Sequence, residues 1–195
     1  MPRIAAATVA ENRELRRDAL LTAAADLMQR GRTFTVAEVA REVGLSRSAV
    51  YEYYSSAAEL IADVLIDELG RWSSELALST APHHSPRERV HAWIGAVLAP
   101  VADGRHALLR AAGSVELPPA QRVQVQELHQ SLIAPLVEAL EASGRTDAGR
   151  TARYVWGTVE VAISRIEDEG ADPDDEAAAL RSFIDGALSD PSVRE

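Results

Sequence analysis

Two helix-start signals flank a single glycine in the first third of the chain. Thr35 precedes an apolar run, and Glu38 follows three residues later, which is the spacing of a capping box. Gly44 can adopt the left-handed conformation that ends a helix, and Ser46 can cap the helix that follows. The segment is therefore predicted to be two short helices joined by a tight turn. This is either a helix-turn-helix or an ordinary helical hairpin.

The rest of the chain also carries apolar residues at helical period, which predicts an all-α fold. Gly31 ends the first helix, and the third runs from Ser46 to about Tyr54, where a long connecting helix follows. Further helices are predicted over 86–101, 105–113, 118–143 with a kink at Pro135, 147–169 and 173–188. The alternation at 123–126 hints at a strand, but it lies inside a helical pattern. About nine helices follow, without a convincing strand.

Composition narrows the class of protein. The 195 residues contain no Cys, which excludes disulfides and thiolate metal sites, and no run of 18 apolar residues is present. We expect a cytoplasmic location. Residues 1–54 carry eight Arg against seven acids, whereas the rest carries twelve Arg against 23 acids. This asymmetry confines any DNA binding to the N-terminal segment.

Residues 34–60 resemble the N-terminal signature of the TetR family of regulators. The shared elements are Thr35, Gly44-Leu45-Ser46, Tyr51, the pair Tyr53-Tyr54, and Leu60. The resemblance implies a three-helix DNA-binding domain over 1–56 and a helical effector-binding and dimerisation domain over 57–195. It further implies a sequence-specific regulator, most often a repressor, that binds a palindromic operator as a homodimer and is released by a small molecule.

Two positions depart from the family pattern. Ala57 stands where the family usually has a Lys that meets a DNA phosphate, and Ser55 stands where Pro is common. Losing one phosphate contact lowers the affinity and reduces the salt dependence by roughly one unit of slope. The alternative function is therefore a helical small-molecule-binding or scaffold protein with weakened DNA binding.

The third helix places Arg47, Ser48, Tyr51 and Glu52 on one flank and turns Val50 towards the first helix. Arg47 suits two hydrogen bonds to guanine or, alternatively, a phosphate contact. Glu52 accepts from a cytosine amino group or simply faces solvent. The predicted DNA-binding residues are Thr35, Ser46, Arg47, Ser48, Tyr51 and Tyr53. Tyr53 has packing as its alternative. Arg13, Arg16 and Arg17 are expected to touch the DNA backbone, and the alternative for two of them is a surface pair with Glu14 or Asp18.

The family's last two helices pair with those of a second subunit, and apolar stripes occur on both here. The predicted dimerisation residues are Val155, Trp156, Val159, Ile163, Phe183 and Ile184, with internal core as the alternative. The effector-binding candidates are Trp72, Trp93, His129 and Tyr154, and weaker ones are His91, His106 and Glu116. Each of these is otherwise plain core or surface.

An enzyme is the main rival class. The sequence has no G-x-G loop, P-loop or G-x-S-x-G motif, so we expect neither catalysis nor a cofactor. The adjacent His83 and His84 lack an obvious third metal ligand. The acidic group at 172–176 suggests calcium, but carboxylates that favour a helix N-terminus explain it without any ion.

Overall fold

The computed structural model describes residues 9–113 and 115–188. All regular structure in these ranges is helical, which confirms the predicted all-α class. The helices are α1 (Val9–Gln29), α2 (Val36–Glu42), α3 (Arg47–Tyr51), α4 (Ala57–Thr80), α5 (Pro86–Ala102), α6 (Ala107–Ala112), α7 (Pro119–Ser131), α8 (Ala134–Ala142), α9 (Ala148–Glu169) and α10 (Pro173–Leu188).

Pro135 divides the helix that the sequence predicts over 118–143. The structure has α7 and α8 there, with a break at residues 132–133, so the described ranges hold ten helices. Proline has no N–H to donate into a preceding helical turn, but it is tolerated at the start of a helix, where Pro135 lies. The predicted kink is thus a complete break. The third helix also ends earlier than predicted, at Tyr51.

The chain forms two compact units. Among the described residues, the first unit comprises 9–68, 107–113 and 115–125, and the second comprises 69–106 and 126–188. Helix α1 packs against α2 and α6 in the first unit, and α2 packs against α3. The core of the first unit also includes Leu60 and Leu65 of α4 and Leu108 of α6. These apolar side chains explain why the unit extends past residue 56, after which the sequence places a domain boundary; that boundary stays a prediction.

The second unit is built around α5. This helix packs against α8, α9 and α10, and α9 packs against both α8 and α10. Trp93 lies at the centre with no exposed surface, and its indole N–H donates to the Leu132 carbonyl oxygen at 2.9 Å. Helix α7 differs from these helices, because none of its residues is buried.

Candidate DNA-binding surface and effector region

The start of α2 is held by the capping box that the sequence predicts. The Thr35 hydroxyl accepts from the Glu38 N–H at 3.3 Å, and the Thr35 N–H donates to Glu38 Oε2 at 2.7 Å. The bond from the Thr35 backbone N–H, together with that from its hydroxyl, holds the pKa of Glu38 below its usual value. Gly44 then turns the chain with φ of 69°. The box and this turn fix the separation of α2 from α3.

The side chains of α3 divide between solvent and the core as the sequence predicts. Ser46 caps it by accepting from the Ala49 N–H at 3.2 Å. Arg47, Ser48 and Tyr51 are exposed, whereas Val50 is fully buried. The Arg47 guanidinium lies 5.5 Å from the centroid of the Tyr51 ring, within the range of a cation–π contact. The exposed flank of α3 therefore presents an arginine and a tyrosine side by side.

Tyr53 lies beside α1. Its half-buried ring packs against the core of the first unit, and the Arg13 guanidinium lies 5.1 Å from the ring centroid. The packing role that the sequence leaves open for Tyr53 is therefore present. The contact also places an arginine of α1 next to a predicted DNA-binding residue.

A polar network that the sequence analysis missed joins α1, α4 and the turn that follows α3. Asp63 Oδ2 accepts from Arg17 Nη2 at 2.9 Å and from the Tyr54 hydroxyl at 3.2 Å. Burial raises the pKa of Tyr54, so its hydroxyl stays protonated and can donate. Arg17 thus pairs with Asp63 and not with Glu14 or Asp18. The apolar stripe of α4 does not predict the pair of Arg17 and Asp63, because these two residues come together only in the folded chain.

The start of α4 carries its own carboxylate. Ser56 Oγ accepts from the Glu59 N–H at 3.2 Å, and the Ser55 N–H and hydroxyl donate to Glu59 Oε2 at 2.8 and 2.7 Å. Ala57 is partly buried and packs against the core. The Glu59 carboxylate therefore binds one backbone donor, the Ser55 N–H, and places a negative charge at the end of the helix that would otherwise attract an anion.

The structure does not bring the four effector-binding candidates together. Trp72 and Trp93 are buried, and their indole N–H groups donate to the carbonyls of Ala96 and Leu132. Tyr154 is 72% exposed. His129 is exposed and lies against Trp156, with ring centroids 5.5 Å apart and planes nearly perpendicular.

The weaker candidates are spread between the two units. His91 Nε2 lies 2.8 Å from Asp185 Oδ1, and His106 Nδ1 lies 2.8 Å from Glu167 Oε1. Both contacts lie in the second unit. Glu116 belongs to the first unit, where it is exposed and lies 3.9 Å from Arg122.

The apolar stripes of α9 and α10 are largely internal, which is the alternative that the sequence leaves open for four of the six predicted dimerisation residues. Val155, Val159, Ile163 and Ile184 are all buried within the chain's own second unit. Trp156 is half-buried, and Phe183 is 61% exposed. The exposed apolar residues of these helices include Tyr154, Val161 and Phe183, of which the sequence assigns only Phe183 to a dimer contact.

The acidic start of α10 is a helix cap. Asp172 Oδ1 accepts from the N–H groups of Asp174 and Asp175 at 2.9 and 3.1 Å. Within the described residues, no cluster of three or more metal-ligating side chains occurs, and no helix is long and apolar enough to cross a membrane.

Comparison with known families identifies the N-terminal segment. Residues 20–64 match the model of the tetR family of bacterial regulatory proteins. This match and the helical architecture confirm the family resemblance and the helix-turn-helix. No curated protein matches the chain.

Solved structures with the same fold span nearly the whole chain. A TetR-family transcriptional regulator, PfmR from Thermus thermophilus, is 19% identical over 85% of this chain and 96% of its own, with a TM-score of 0.68. FadR from Bacillus subtilis, in complex with stearoyl-CoA, is 13% identical over 86% and 96%, with a TM-score of 0.71. A protein from Saccharomonospora viridis, in complex with choline, is 14% identical over 88% and 96%, with a TM-score of 0.77.

Proposed function

We propose that this chain, whose residues 20–64 form a TetR-type DNA-binding domain, is a repressor that binds a palindromic operator as a homodimer and is released by a small molecule. The observation that carries DNA binding is the exposed flank of α3. Arg47, Ser48 and Tyr51 lie on the side opposite the buried Val50. A short helix of this kind fits the major groove, where an arginine can read guanine with two hydrogen bonds.

Footprinting on the DNA that flanks the gene tests this function. We expect salt-sensitive protection of a palindrome, and we expect the double variant Arg47→Ala/Tyr51→Ala to lower the affinity at least about 100-fold with its folding unchanged. The control is Arg150→Ala, which removes a 69% exposed guanidinium from α9 in the second unit. Unchanged protection by the double variant would overturn the proposal.

Dimerisation through α9 and α10 follows from their exposed side chains. Tyr154 and Val161 lie on one side of α9 at helical spacing, and Phe183 lies on α10 between the exposed small residues Ala179 and Gly186. Small residues let helices of two subunits approach closely. A two-fold dimer also matches the symmetry of a palindromic operator.

Analytical ultracentrifugation of matched variants tests this interface. Phe183→Asp places a charge in the proposed contact, so we expect it to weaken self-association at least about tenfold. Leu78→Asp is the control, because Leu78 is a 75% exposed apolar residue of α4. Equal association constants for the two variants would exclude α10 from the interface.

Release by an effector is supported by what two proteins of the same fold hold in their structures, stearoyl-CoA and choline. An effector lowers operator affinity only by as much as it prefers the unbound conformation over the DNA-bound one. A screen of small molecules for loss of footprint protection tests this step. If no compound changes the protection, the effector is removed from the proposal and DNA binding remains.

A second candidate is a helical ligand-binding protein with weakened DNA binding. The start of α4 favours it, because Glu59 carries a negative charge two residues after Ala57, the position at which the family usually has a phosphate-binding Lys. The variant Ala57→Lys tests this point. We expect it to raise DNA affinity and to steepen the salt dependence by roughly one unit of slope. No gain would show that this position lies away from the DNA.

A further inference from the structure

Helix α9 carries an aromatic ring and two carboxylates along one side. Trp156, Glu160 and Glu167 are spaced by four and seven residues, which places them on the same face. The Trp156 indole N–H donates to Glu160 Oε1 at 2.9 Å. Two turns further on, Glu167 Oε1 lies 2.8 Å from His106 Nδ1. This face therefore combines π surface with negative charge.

Two further rings extend the aromatic surface from the core towards solvent. The Trp156 ring centroid lies 6.1 Å from that of Trp93 and 5.5 Å from that of His129. Trp93 is fully buried, Trp156 is half-buried and His129 is exposed. His129 lies on α7, which buries none of its residues. A solute can thus reach the outer two rings without disrupting the packed core.

The charges around these rings favour a positive guest. Neighbouring groups partly desolvate the exposed His129 ring, and this lowers its pKa more than the Glu160 carboxylate raises it. The nearby His106 lowers the pKa of His129 further, which favours the neutral ring at pH 7. The bond that Glu160 accepts from Trp156 comes from a neutral donor and leaves the carboxylate charge in place. Trp156 connects the two groups, because its indole N–H donates to Glu160 and its ring lies against His129.

We infer that Trp156, His129 and Glu160 form a binding site for an organic cation of the quaternary ammonium class. Such a cation is weakly hydrated and therefore loses little on contact with aromatic rings, whose faces attract positive charge. The Glu160 carboxylate adds a Coulomb attraction that a neutral molecule of the same shape cannot use. This assignment gives the chemical class of the proposed effector. Only the regulatory role of the cation, and not its binding, rests on the proposed function.

Binding of benzyltrimethylammonium to the full chain without DNA tests the site. Titration calorimetry gives the affinity, and neopentylbenzene, its neutral carbon isostere, is the matched ligand. We expect the cation to bind at least about tenfold more tightly than the isostere, a factor within the range of cation–π and charge contacts. Equal affinity for the two compounds, or no binding of the cation, would overturn the assignment.

Two charge-removing variants locate the site on α9. We expect Glu160→Gln to weaken cation binding about tenfold, whereas Glu169→Gln changes it less than about twofold. Glu169 is 60% exposed on the same helix, where it pairs with Arg165. Circular dichroism confirms that both variants stay folded. Equal effects of the two variants would contradict the site.

This experiment is separable from the test of DNA binding. Calorimetry reports cation binding whether or not an operator is found, and footprinting reports DNA binding whether or not the cation binds. Cation binding with the expected effects of the two variants, but without any footprint, would support the cation site and contradict the proposed DNA-binding function. A footprint without cation binding would support the proposed DNA-binding function and contradict the cation site.

Discussion

Helices α3 and α9 use their apolar residues differently. The five-residue α3 buries one side chain, Val50, and leaves the polar residues of its opposite flank in solvent. The 22-residue α9 buries a long stripe that includes Val155, Val159 and Ile163, and its exposed residues lie beside this stripe. In both helices the side that we propose to face a partner is distinct from the side that packs into the core. Substitutions in buried stripes should therefore change stability, and those beside them should change binding.

The largest effect is expected at the centre of the second unit. Trp93→Ala should lower the free energy of unfolding by about 3–5 kcal/mol, because it leaves a cavity and removes the donor of the Leu132 carbonyl. Trp156→Ala should cost clearly less, since Trp156 is only half-buried. Urea unfolding followed by circular dichroism measures both. Equal losses would mean that Trp156 is as much part of the core as Trp93.

Adjacent residues of α10 give the next test. Ile184→Ala should cost about 2–4 kcal/mol of unfolding free energy, because Ile184 is buried. Phe183→Ala should change it by less than about 0.5 kcal/mol once the data are extrapolated to low protein concentration, because the ring is exposed. A comparable loss for Phe183→Ala would place that ring inside the fold and remove it from the proposed interface.

A smaller effect is expected at the start of α2. Thr35→Ala should lower the free energy of unfolding by about 1 kcal/mol, because the Glu38 N–H loses its acceptor in the capping box. Thr35→Ser keeps a hydroxyl at this position and is the control. Thermal unfolding of the two variants measures the difference. An equal loss in both would show that the methyl group of Thr35, and not the cap, stabilises the helix.

The pH dependence of stability should show the smallest change. Hydrogen bonds from Arg87 and from His91 hold the pKa of Asp185 well below its usual value. A carboxylate of this kind stabilises the fold above its unfolded-state pKa of about 4, and the stabilisation is lost as the pH falls below that value. The Tm should therefore decline less steeply below pH 4 in Asp185→Asn. Asp174→Asn, on the exposed first turn of α10, should keep the steeper decline.

The sequence predicts the helix-turn-helix well because its signals are local. A capping box needs only two residues three positions apart, and Gly44 needs only its own backbone freedom. Val50 is the one buried residue of α3, so the opposite flank follows from helical geometry. The contacts of the exposed residues with DNA remain predictions.

The second unit is harder to predict from sequence. An apolar stripe identifies the side of α9 that is covered, but not whether a helix of the same chain or of another covers it. Val159 and Ile163 are covered by their own chain. The cluster of Trp93, His129 and Trp156 joins residues of three helices, and their spacing along the chain gives no sign of this proximity. Pro135 predicts an interruption of the helix, but whether a proline bends or divides a helix depends on the surrounding packing.

The Asp63 carboxylate has a mechanical consequence. Because Arg17 of α1 and Tyr54 just beyond α3 both donate to the same oxygen atom, a displacement of the first turns of α4 would pull on both donors together. Helices α1 and α3 would then move together with Asp63. Such a movement would change the angle at which Arg47 and Tyr51, the proposed DNA-binding residues, are presented, without altering either side chain.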